Sequence, residues 1–102
     1  MDIDSDNPLA MEIRQEMAEV YFAACKKMVD SFEALKAFDR AVVSSILDRE
    51  QITRRAGLLE EACERVFFVV IQREAMSFSC FEEFFKDYEI PNEVRIRLGP
   101  RR

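Results

Sequence analysis

The chain predicts an all-α fold: a long antiparallel helical hairpin with a short connector helix and two short C-terminal helices. Three observations predict it. Glycine and proline number only two and three in 102 residues, too few for the many turns an all-β chain requires. Apolar side chains recur every three or four residues along two long stretches, the spacing of one helix face. Helix-start signals stand where the presumed helices begin.

The central element is the stretch around Leu58–Met76, LLEEACERVFFVVIQREAM. Val66 to Ile71 alone would pass for a buried strand, since Phe, Val and Ile favour pleated surfaces. The flanks decide for a helix. Leu58, Leu59, Ala62, Cys63, Val66, Phe67, Val70 and Ile71 repeat at helical spacing, and Glu60, Glu61, Glu64 and Arg65 fill the wet side. Asp48 with Gln51 three residues on resembles a capping box, which sets the start near residue 49 and the end near 76.

Ahead of it, Asn7-Pro8 reads as an N-cap followed by proline at the first helical position, where a missing N–H costs nothing. The helix expected from there runs to about Ala37. Its stripe is Leu9, Ile13, Met17, Val20, Ala24, Met28, Phe32 and Leu35, widened by Met11, Ala18, Tyr21, Phe22 and Cys25. At 1.5 Å per residue it spans about 43 Å, more than one small core needs. A second long helix or another copy of the chain is required to cover it. Met1–Asp6 is an acidic leader expected to be disordered.

Phe38-Asp39 reads as a junction and residues 40–47 as the connector helix, with Val42, Val43, Ile46 and Leu47 available to dock and Ser44-Ser45 weakening it. A single helix through 39–76 is the alternative. After the central helix, Ser79 with Glu82 forms a second capping box and opens a short helix to about Asp87. Ile90 must be extended before Pro91. Pro91 then starts a last helix to Leu98, anchored by Val94 and Leu98, with Gly99 beyond its end. Residues 1–102 therefore form one helical domain.

Composition excludes several function classes. Half the residues are hydrophobic (49%) and 34% are charged, which suits a folded helical chain. The net charge is −5, so a phosphate backbone repels the chain and no nucleic-acid partner is expected. No apolar run approaches the ~18 residues of a membrane span, and the acidic start does not fit a signal peptide. Cys25, Cys63 and Cys80 share no metal or redox spacing and sit among apolar residues, as reduced thiols of a cytoplasmic protein do. Histidine is absent, which removes the commonest general base and metal ligand. The glutamate rows Glu12, Glu16, Glu19 and Glu60, Glu61, Glu64 recur like a carboxylate ladder, but without Glu-x-x-His they are a solvated face. Cys80 near a helix start lies beside Glu82 and Glu83, which oppose thiolate formation. Two glycines cannot build a phosphate loop. No catalytic residue, cofactor or metal site is expected.

Two constellations remain. Gln72, Arg73 and Glu74 follow the apolar run directly, so at least one charge lies on a mostly apolar side and needs a partner. The structural reading joins Gln72, Arg73, Glu74, Arg95 and Arg97 in one polar cluster, with Glu74 against Arg95 or Arg97 and Arg73 against Glu93 or a carbonyl. It outweighs a functional polar pocket. The aromatic face Phe81, Phe84, Phe85 and Tyr88 either closes the bundle end or forms an interaction patch. Arg95, Arg97, Arg101 and Arg102 make the last fourteen residues basic (four Arg against two Glu), while residues 1–38 carry eight acidic and four basic side chains. The basic tail is read as facing the acidic first helix of its own or a sister chain.

FFVVIQREA and DYEIPNEVRIRLG, with ALKAFD at Ala34–Asp39, resemble an uncharacterised bacterial family of small all-helical proteins. Its marks are a V-Q-R-E helix end, Y-G-I-P-x-E-V and a closing R-L-G. Ile71 stands where that family has Val and Glu89 where it has Gly, and Arg40–Thr53 is longer and poorer in proline. The resemblance implies a bacterial cytoplasmic helical protein and lends no activity. The expected function is a non-catalytic interaction or scaffold protein acting as a homodimer, with another protein as the second candidate partner. A small acidic chaperone or regulator, holding a partner helix between lid and hairpin, is the second expectation. A carboxylate-based enzyme comes last.

Overall fold

A computed structural model of the protein describes residues 8–42, 46–77 and 81–99. They form four helices, α1 (Pro8–Ala41), α2 (Arg49–Ala75), α3 (Phe81–Asp87) and α4 (Asn92–Leu98), with no strand among the described residues. The expected all-α hairpin is thus the observed architecture. The molecule is elongated, 60 × 25 × 18 Å. Its radius of gyration is 17.3 Å, against about 13 Å for a compact chain of this length.

α1 and α2 run antiparallel, and two contacts mark their register. Arg55 meets Asp39 near the connection, and Arg73 meets Tyr21 at the far end. The helix starts follow local chemistry. At α2, the Gln51 backbone N–H donates to Asp48 Oδ1 (2.8 Å) and the Asp48 N–H donates to Gln51 Oε1 (3.0 Å), the reciprocal capping box expected there.

The connector departs from expectation. α1 continues through Arg40 to Ala41, and the Val42 N–H still bonds to the Phe38 carbonyl at 3.2 Å. No Gly or Pro interrupts this segment, and Asp39 is drawn to Arg55. Ile46, Leu47 and Asp48 are not helical, so among the described residues no helix occupies 42–48. Residues 43–45, and with them Val43, Ser44 and Ser45, lie outside the described residues. So do the leader and Asn7 at the N-terminus, Ser79 and Cys80 before α3, and Arg101 and Arg102 in the tail.

α3 ends in a Schellman motif. The Glu89 N–H bonds to the Lys86 carbonyl (3.1 Å) and the Ile90 N–H to that of Phe85 (3.0 Å), which requires Glu89 in the left-handed region at φ 50°. Pro91 is the N-cap of α4, so the helix begins at Asn92, one residue later than expected, and Gly99 closes α4 at φ 75°.

The core joins all four helices. Met28 and Phe32 of α1 meet Ala62, Val66 and Val70 of α2, with Phe84 and Phe85 of α3, Ile90 of the following turn and Val94 of α4 covering one side. Met28, Val66, Val70 and Val94 are fully buried. Ser31, the buried polar residue among them, donates its hydroxyl to the Met28 carbonyl at 2.6 Å.

Candidate functional site

The expected polar cluster does not assemble as expected. Arg73 turns toward α1 and donates from Nη1 to the Tyr21 hydroxyl at 3.0 Å, with its guanidinium 4.6 Å from the centre of the Phe84 ring and 5.9 Å from that of Phe81. Glu74 is exposed, and Gln72 is half-buried. Arg95 reaches Glu82 at 2.9 Å and lies 4.8 Å over the Phe85 ring, while Arg97 borders a shallow depression with Cys63, Glu64, Phe67 and Leu98. Glu93 is taken by Arg55. The pairings expected for Glu74 and Arg73 give way because the α2 end points at α1 and α3, whereas α4 packs lower along α2.

The second polar site was not anticipated as such. Arg55 donates to both oxygens of Asp39 (Nε 2.9 Å, Nη2 3.1 Å) and to both of Glu93 (Nη1 3.1 Å, Nη2 2.9 Å), tying α1, α2 and α4 together. Hydrogen bonds from Arg55 hold both carboxyls below their ordinary range, and the two carboxylates raise Arg55. Asp39 and Arg55 stand equally far from Leu47, a hairpin symmetry visible in the spacing once α1 is continued to Ala41.

The aromatic face closes the bundle. Phe81, Phe84 and Phe85 are buried and Tyr88 is half-buried, with Phe84 5.6 Å from Phe85 and 5.3 Å from Tyr88 between ring centres. Of the two outcomes expected for Phe81, Phe84, Phe85 and Tyr88, closing the bundle end is the one their placement matches; the three phenylalanines do not form an exposed interaction patch. Apolar contact with α1 and α2 outweighs exposure for side chains of this size.

Beneath them lies the Cys25 thiol, buried beside two phenols. Its sulfur and burial push the Tyr88 hydroxyl up to about 12, and burial, offset by Arg73, raises Tyr21. Burial also raises the Cys63 thiol, which lowers its thiolate fraction. The described glutamates of both rows are exposed, and no group of three or more potential metal ligands occurs among the described residues.

What remains is an apolar surface, and its position is the notable feature. Tyr21 lies level with Arg73 and α2 stops at Ala75, so α1 overhangs its hairpin partner by roughly 15 Å. On this arm Ile13 is 50% exposed, with Met11 and Met17 also open, and Val20 at its base is 49% exposed. The same stripe is buried farther along, at Ala24, Met28, Phe32 and Leu35. Phe68 and Ile71 of α2 are exposed as well. Between the helices, Val20, Ala23, Ala24, Lys27, Arg65 and Phe68 line an open groove of about 250 Å³. Among the described residues no helix is long and apolar enough to cross a membrane.

Comparison with protein-family models, curated proteins and solved structures finds no match for this chain. Its functional reading rests on its own geometry.

Proposed function

We propose that the protein is a non-catalytic interaction or scaffold protein that acts as a homodimer through the apolar face of the α1 arm. One observation carries this reading: the stripe that forms the core at Met28, Phe32 and Leu35 continues uncovered through Val20, Met17 and Ile13. A half-exposed run of large apolar side chains on a soluble helix is costly in water, and burying each fully is worth about 1.5–3 kcal/mol. A cytoplasmic setting, read from unpaired thiols at Cys25 and Cys63, belongs to the same proposal. The inward-facing aromatics do not favour the alternative of a chaperone groove beneath the lid.

The test is light scattering after size exclusion across a tenfold concentration range, on the native chain and on Ile13→Glu/Met17→Glu. The native chain is expected at twice its mass and the variant at its monomer mass, with helix content unchanged because both sites are exposed. A native chain that is monomeric throughout overturns the reading.

A further inference from the structure

Resting on the homodimer reading, we infer that the α1 arm of each copy lies antiparallel in the α1–α2 groove of the other, about a twofold axis close to Val20. The arm and the groove belong to one stripe of α1. Positions 13, 17, 20, 24 and 27 step by four, three, four and three and so share a face. Toward the N-terminus this face presents Ile13, Met17 and Val20; toward the groove it presents Ala23, Ala24 and the stem of Lys27. Arm and groove cannot meet within one chain, because they lie on one continuous helix. Reversing a second copy about Val20 brings them together, with Met17 over Ala23 about 5 Å, and Ile13 over Lys27 about 10 Å, either side of the axis. Each contact is then made twice, as an isologous interface requires.

Charge supports the same occupant. The described arm carries Glu12, Glu16 and Glu19 against Arg14 alone. The groove is rimmed by Lys27 and Arg65. Arg65 approaches Glu61 only at 3.9 Å, and Lys27 makes no ion pair among the described residues. In the antiparallel register Glu12 and Glu16 bracket Lys27 of the partner subunit. Phe68 forms the wall beside them, so these pairs form at the edge of an apolar contact, where they act on register and partner choice.

The experiment is sedimentation equilibrium on the native chain, on Lys27→Glu, and on the triple variant Lys27→Glu/Glu12→Lys/Glu16→Lys, with circular dichroism to show equal helix content. Lys27→Glu places like charges together at two symmetric positions and is expected to raise the dimer Kd by at least about tenfold, while the triple variant regains most of that loss. A native dimer whose Kd is unmoved by Lys27→Glu, or a triple variant no tighter than the single one, overturns this geometry and leaves the homodimer reading standing, with its contact elsewhere. A native chain that is monomeric at every concentration overturns both.

Discussion

Arg73 and Tyr21 are 52 residues apart in the chain, and the Arg73 guanidinium donates to the Tyr21 hydroxyl at 3.0 Å while stacking 4.6 Å from Phe84. One side chain thus joins the end of α2 to α1 and to α3. Arg73→Ala loses the hydrogen bond, the cation–π contact and the packing of the arginine stem, and is expected to cost about 2–3 kcal/mol. Arg73→Lys recovers only part, because an ammonium lacks the flat face that lies on Phe84. Urea unfolding of the three proteins measures this; equal midpoints would mean the contact contributes nothing.

The Arg55 clamp makes stability depend on acid. Asp39 and Glu93 titrate below their ordinary values in the fold, so the unfolded chain binds protons first as the pH drops. Their contribution is complete above the unfolded carboxylate range near pH 4–4.5 and is lost as the pH falls through the lower folded values. Both carboxylates are about half exposed, so each pair is worth no more than about 1 kcal/mol. Thermal melts from pH 7 to pH 3 are expected to fall off less steeply for Arg55→Gln than for the native chain, the two curves converging at the acid end.

Glu89 holds a left-handed backbone at φ 50° to complete the Schellman motif after α3. A side chain there costs about 1–2 kcal/mol that glycine avoids, offset by the greater freedom of glycine when unfolded. Glu89→Gly is expected to stabilise the protein by about 0.5–1 kcal/mol, read as a rise in denaturation midpoint.

Much of the fold was legible because its determinants are local. The Asp48–Gln51 cap, the three- and four-residue spacing from Leu58 to Ile71, Ile90-Pro91 and Gly99 each act within a few residues, and α2, α3 and α4 fall within about one residue of the expected bounds. Where the sequence reading placed a break at Phe38-Asp39 it failed, because an aspartate is as ready to pair with a distant arginine as to cap a helix. That choice was made by Arg55, sixteen residues on.

The sequence alone determined that this chain is helical, acidic, without histidine and built on two long amphipathic helices. Only the tertiary structure decided which charge meets which and which apolar face is covered. Arg73 chose Tyr21 and Phe84, Phe81 and Phe85 turned inward, and Ile13, Met17 and Val20 were left in solvent. Periodicity states that a face is apolar; the lengths and register of the neighbouring helices determine where cover ends. Here α2 stops two residues past Arg73, and α1 does not.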